Sequence, residues 1–226
     1  MSVYDILKKR KYVLDYETHA EIDKELIIDL LQKAWKVTPS KNNFMPYKVH
    51  VIGPERRKLK ESIFLKSLKH EGAADNIDVI ERYENRGKLP NYRNIRSCSY
   101  LLIFTLRQET DPNPFQKWLF EQGHNYPAMR NVEECYADAL LEIGMFSTAF
   151  GAMCLEHDID IAPVGCYPKD LKDWKDVSFI NQYPPIGLLT VGKGKYYRQD
   201  HARKINEREK DDWKPNFSKV VNMENI

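Results

Sequence analysis

Apolar residues in this chain recur at two different periods, and the switches between them mark out its elements. Val3, Ile6 and Leu7 share one face of a short helix over 3–9. Ile22, Leu26, Ile27, Leu30, Leu31 and Ala34 then recur at helical spacing and predict a helix from 22 to 37. Thr18 with Glu21 three residues on has capping-box spacing, so the chain is expected to enter that helix there. Period two takes over at 47–52, where Tyr47, Val49 and Val51 alternate with Lys48 and His50 and predict a strand. After the Gly53-Pro54 turn, Leu59, Ile63, Phe64 and Leu68 give a helix over 55–69 whose other face is rich in Lys and Arg. Gly72, Asn76, Asn85, Gly87 and Pro90 break any pattern in 70–97, which reads as a polar excursion. The continuous apolar run over 99–105 predicts a central strand buried on both faces.

In the second half, a long helix spans 131–157. It is amphipathic at first (Val132, Cys135, Tyr136, Leu140) and apolar nearly all round from Ile143 to Leu155. Such a helix sits in the middle of a large core or between subunits, and Gly144, Ala149, Gly151 and Ala152 let backbones come close. A dimer core is therefore expected. Residues 184–192 predict a last core strand ending in Gly192. Between 107 and 130, Trp118, Phe120, Tyr126 and Met129 suit either a lid over a flat ligand or core and subunit packing.

Composition narrows the function classes. The 226 residues carry 35 Lys+Arg against 33 Asp+Glu, a net charge of +2, so no basic surplus points to nucleic acid. The four cysteines are far apart with no Cys-x-x-Cys pair, which fits buried, reduced thiols better than a disulfide framework or a zinc site. No metal-ligand cluster, Gly-x-Gly-x-x-Gly after a strand, or Walker loop is present. No apolar run approaches the ~20 residues of a membrane span, and Met-Ser-Val-Tyr-Asp is no signal peptide. A cytoplasmic protein is expected, with one domain over 1–192 and an arm over 193–226.

Candidate chemistry centres on Pro39 to Val51. Pro39 and Pro46 stiffen a polar loop between a helix end and a strand start. Asn42 and Asn43 tolerate left-handed backbone and offer amide donors and acceptors, a seat for a small polar ligand. The basic cluster Lys8 to Lys11 is either a solvated face or a grip for an anion.

The loop resembles the Pro-Ser-x-x-Asn-x-Gln-Pro-Trp signature of the FMN-dependent nitroreductase family, read as Pro39, Ser40, Asn43, Pro46 and Tyr47, with Met45 in place of Gln. Three further stretches match in order. Arg10 falls on the first Arg of the family's Arg-x-Ser-x-Arg phosphate motif, although Tyr12 stands at its Ser and Leu14 at its second cation. Pro163-Val164-Gly165 is similar to the family's Pro-(Ile/Val)-Gly, whose backbone N–H groups face the flavin edge. Val191-Gly192 matches the end of its final core strand, followed by an arm that wraps the partner subunit.

The resemblance implies an α+β fold: a nitroreductase-like three-layer α-β-α sandwich with a central, mainly antiparallel sheet. It implies an intertwined homodimer with two FMN at the interface, NAD(P)H as co-substrate and a small-molecule electron acceptor. Carried over residue by residue, the FMN-binding set is Arg10, Lys11, Tyr12, Ser40, Lys41, Asn43, Asn91, Pro163, Val164, Gly165 and Arg203. Asn91 is placed by its spacing before the central strand and Arg203 by its position early in the arm. No side chain is needed as acid or base. The flavin N5 supplies the chemistry, tuned by the backbone amides of Val164 and Gly165. A flavin enzyme of this fold with other chemistry (reductive dehalogenation, flavin fragmentation), a flavin-binding dimer without turnover, and a non-flavin protein dimerising through 143–155 are the rival expectations.

Overall fold

The longest apolar run organises the molecule. In the computed structural model, which describes residues 2–18, 20–70, 93–107, 113–124 and 132–197, it forms the strand Tyr100–Leu106, buried at every position. In chain order the elements are α1 (Val3–Lys8), β1 (Val13–Tyr16), α2 (Lys24–Val37), a 3-10 turn (Lys41–Asn43), β2 (Tyr47–Ile52) and α3 (Arg57–His70). There follow α4 (Arg93–Ser97), β3 (Tyr100–Leu106), α5 (Pro114–Glu121), α6 (Val132–Glu156), β4 (Asp160–Val164), a second 3-10 turn (Leu171–Trp174), β5 (Pro185–Gly192) and β6 (Gly194–Tyr197). The main sheet has the order β2-β3-β5-β4 and every pair is antiparallel. β1 and β6 make a separate antiparallel ribbon.

Strand periodicity divides the core. Leu102, Phe104 and Leu106 join Ile27, Leu30 and Ala34 of α2 and Ile143, Phe146 and Phe150 of α6. Leu101 and Ile103 point the other way, into a cluster with Ile63, Phe64 and Leu68 of α3 and with Trp174. Successive side chains on a strand face opposite sides, so a strand buried on both faces needs an apolar layer on each.

Several expectations need correction. α2 is capped by Asp23, whose side chain accepts from the Glu25 amide, and not by the Thr18–Glu21 box. Ser99 Oγ donates to the carbonyl of Ala20 and the Tyr100 phenol to that of Ile22, so these two carbonyls are tied to the sheet rather than to a helix. The capping box belongs to α1, between Ser2 and Asp5. Val3 and Val51, read as core-facing, are 67% and 46% exposed. β1 and β6 carry no clear period in the sequence. They form because Tyr16 donates its O–H to Thr190, Thr190 Oγ1 donates to the Ala162 carbonyl, and Asp160 accepts from the Gly194 amide and the Tyr197 phenol. The Tyr16 ring fills the space where Gly192 lacks a Cβ; one added there would stand 2.6 Å from the ring.

Lys60, on the expected polar face of α3, is buried. Its ammonium donates to the carbonyls of Cys98 (2.7 Å) and Ser99 (3.1 Å), satisfying groups where α4 passes into β3. Cys98, Cys135 and Cys154 are buried free thiols and Cys166 is half-buried. By length and composition alone the stretch Cys135–Glu156 is long and apolar enough for a membrane span, a test that a buried core helix also meets. Nearly half of it is buried inside the fold, as a core helix would be. Of the polar excursion read over 70–97, His70 still belongs to α3 and 93–97 form the helix α4; residues 71–92, Tyr126 and Met129, and the arm beyond residue 197 lie outside the described residues.

Truncating a core aromatic costs about 3–5 kcal/mol, so Phe104→Ala should remove about that much unfolding free energy in a denaturant titration. Alkaline pH offers a second check. Burial holds the Cys98 thiol at about 12 and raises the Tyr16 and Tyr167 phenols. The unfolded chain loses those protons above 9.0 for the thiol and 10.0 for the phenols. The contribution is complete below pH 9.0 and is lost as pH rises toward the folded values. Burial lowers the Lys60 pKa, which works in the opposite sense, yet the three raised groups outnumber it. The thermal midpoint should therefore fall as pH is taken upward from 9.0; a flat or rising profile would show that these burials do not govern alkaline stability.

Candidate functional site

The loop after α2 is built from strained backbone and held by side chains from three elements. Asn43 has φ 51° and Met45 φ 47°, both in the left-handed region. That region is open to Asn but costs a residue such as Met roughly 1–2 kcal/mol, so something must hold it there. Ser40 Oγ accepts from the Met45 amide at 2.8 Å. Arg107, at the end of β3, donates from Nε to the Met45 carbonyl at 2.9 Å and from its guanidinium to the Phe44 carbonyl, with its charge over the Phe44 ring. Asn113 Nδ2 donates to the Asn43 carbonyl at 2.8 Å, and the Lys41 amide donates to Glu142 Oε1 of α6 at 3.3 Å. Lys41 and Asn43 stay exposed, while Ser40 is half-buried.

A second cluster brings together residues 151 positions apart. The Tyr12 phenol donates to the Pro163 carbonyl at 3.3 Å. This sets the end of the Arg10-Lys11-Tyr12 stretch beside Pro163-Val164-Gly165. Lys11 carries its ammonium 4.6 Å over the Tyr197 ring, whose O–H donates to Asp160 at the start of β4. Arg10 follows the end of α1, exposed, its amide donating to the Leu7 carbonyl. Pro163 and Val164 lie in β4, paired with Leu189 and Leu188 of β5. Pro suits that place because β4 is an edge strand of the described sheet. Gly165, the first residue past the strand, is exposed, and no atom lies within 4 Å of where a Cβ would be. A flat ring can therefore approach the backbone there.

These clusters stand at opposite edges of the sheet. The Ser40 loop feeds β2 and Pro163–Val164 belongs to β4, three strand spacings away, or roughly 14 Å. A single chain thus presents two separate groups of the expected residues. Asn91 and Arg203 lie outside the described residues. Sequence reasoning missed Arg107, Asn113 and Glu142. For Glu142 there was a signal: a carboxylate one position before the apolar run of α6, at helical spacing with Ala139, Ile143 and Phe146.

Beside the first cluster an open cleft of about 570 Å³ is lined by Trp35, Met45, Tyr47, Val49, Arg107 and Phe146, among others. Tyr47 sits in an aromatic group with Phe104 and Phe146. Burial, and then the charge of Glu142, push its phenol pKa up, so the group stays protonated at neutral pH. On the other side of β2, His50 bonds Thr105 at 3.0 Å and lies against Phe179. Burial lowers its pKa and Lys48 adds to that, which disfavours the charged imidazolium. Among the described residues no group of three or more His, Cys, Asp or Glu is placed to hold a metal.

No protein-family model matches this chain, and no curated protein matches it. Solved structures do. A provisionally named nitroreductase in complex with FMN, from Exiguobacterium sibiricum, is 19% identical over 87% of this chain and 90% of its own, with a TM-score of 0.62. A nitroreductase-like protein from Streptococcus mutans is 18% identical over 94% and 96%, with a TM-score of 0.60. An iodotyrosine deiodinase bound to FMN and 3-iodo-L-tyrosine is 18% identical over 87% and 92%, with a TM-score of 0.57. Identities this low speak for architecture and not for chemistry: the chain has the nitroreductase-like fold.

Proposed function

We propose that this chain is a cytoplasmic FMN-dependent oxidoreductase that takes hydride from NAD(P)H and passes it, in ping-pong fashion, to a nitroaromatic, quinone or similar acceptor. The observation that carries the reading is the Tyr12 to Pro163 hydrogen bond, which joins the basic stretch to the strand end with the exposed glycine. Bound FMN would supply the hydride-accepting N5. Arg10 and Lys11 would hold its phosphate, with Tyr12 tying that end of the site to the Pro163 carbonyl. The amides of Val164 and Gly165 would donate at the ring edge, where a backbone N–H assists without titrating. Ser40, Lys41 and Asn43 would contact the flavin from a second copy, since in one protomer they stand at the far edge of the sheet.

Since 194–197 pair with β1 of their own chain as β6, the proposal includes a homodimer of three-layer α-β-α subunits in which the arm beyond β6, with Arg203, wraps the partner. In support, α1 and α6, which lie against each other, leave Val3, Tyr4, Tyr136, Leu140 and Leu141 exposed, apolar surface that a second copy would cover. Asn91 is proposed as a further contact to the flavin ring. The likeness to a deiodinase keeps reductive dehalogenation as the second reading, because the same fold there binds an iodinated phenol. An anaerobic panel of nitroaromatics, quinones and halophenols, scored by flavin reoxidation, separates the two.

The purified chain should show the absorption of oxidised flavin and bleach on adding NAD(P)H; a colourless protein that takes up no added FMN sinks the reading. Losing a charge-assisted bond costs about 1.5–3 kcal/mol, so Arg10→Ala should weaken FMN binding about 10- to 100-fold. Sedimentation should give a dimer, and Leu141→Glu should shift it toward monomer with parallel loss of bound flavin.

A further inference from the structure

Glu142 is 3% exposed, on a helix where Ala139, Ile143 and Phe146 are buried beside it. A carboxylate in such a place is disfavoured unless hydrogen bonds replace its lost water. Its Oε1 accepts from the amide of Lys41, a residue 101 positions away in the loop before β2. That loop has two left-handed residues, Asn43 and Met45, and its remaining anchors act further along, on Asn43, Phe44 and Met45. Glu142 holds the turn at its start, and Arg107 holds it at its end. The charge of Glu142 is also felt by the neighbouring Tyr47 phenol. An apolar side chain could not accept from the Lys41 amide.

We infer that Glu142 is a positioning residue: its buried carboxylate fixes the Lys41 amide, and so the Ser40–Asn43 turn. This rests on the reading that the turn meets a flavin, but the positioning can be tested without it. Hydrogen–deuterium exchange on the full-length protein, with thermal midpoints and FMN titration, compares E142L and E142Q with the parent. E142L should speed exchange over 41–45 by about tenfold or more, weaken FMN binding by about tenfold, and leave the midpoint unchanged or raised. E142Q keeps an acceptor and should stay within about twofold of the parent in both readouts.

Unchanged exchange over 41–45 in E142L overturns the inference. So does a lowered midpoint with exchange raised across the whole fold, or failure of E142L to fold, since each makes Glu142 an ordinary structural residue. If E142Q loosens the turn as much as E142L does, the bond to Lys41 is not what holds it, and the inference also falls. Should the parent bind no FMN, the proposed function fails while the exchange comparison still decides the role of Glu142.

Discussion

Burial of β3 on both faces is the constraint from which the rest follows. Its N–H and C=O groups are used by β2 on one side and β5 on the other, and its side chains by two apolar clusters. A strand so placed has no group left for a ligand. The backbone that remains to meet one is at the sheet's edges, β2 and β4, where one side of each strand has no partner among the described residues. Two of the segments expected to meet a flavin sit there, the Ser40 loop leading into β2 and Pro163–Gly165 at the end of β4.

Each edge is braced from outside the sheet. β4 is tied through Thr190 to Tyr16 of β1 and through Asp160 to β6, so the short ribbon works as a strut for the strand bearing Pro163. The Ser40 loop is braced by Arg107 and Glu142, which reach it from β3 and α6. Fixed donors and acceptors on rigid elements suit a ligand whose chemistry lies in its own ring, because the protein then contributes position and electrostatics.

Much of this was legible in the residues. The periods at 22–37, 55–69 and 131–157 and the apolar run at 99–105 mark four principal elements, since burial forces those spacings wherever a helix or strand meets a core. Asn43 declared its left-handed backbone through its own side-chain chemistry, and the two prolines declared a stiff loop. The cap at Thr18 was misread because the carbonyls just after it, of Ala20 and Ile22, accept from the side chains of Ser99 and Tyr100, some eighty residues away. Lys60 was misread for a similar reason: nothing local says that a lysine will turn inward to carbonyls nearly forty residues on.

By itself, then, the sequence determined the principal helices and the central strand and most of the side chains that seek the interior, because those depend on near neighbours and on hydrophobicity. It also carried the order of the polar motifs. Only the tertiary structure decided that Tyr12 would bond Pro163, that Glu142 would hold Lys41, and that the two candidate clusters would stand at opposite edges of one sheet. Those outcomes depend on strand order and register, which arise from packing between segments over a hundred residues apart, and no local pattern encodes such a pairing.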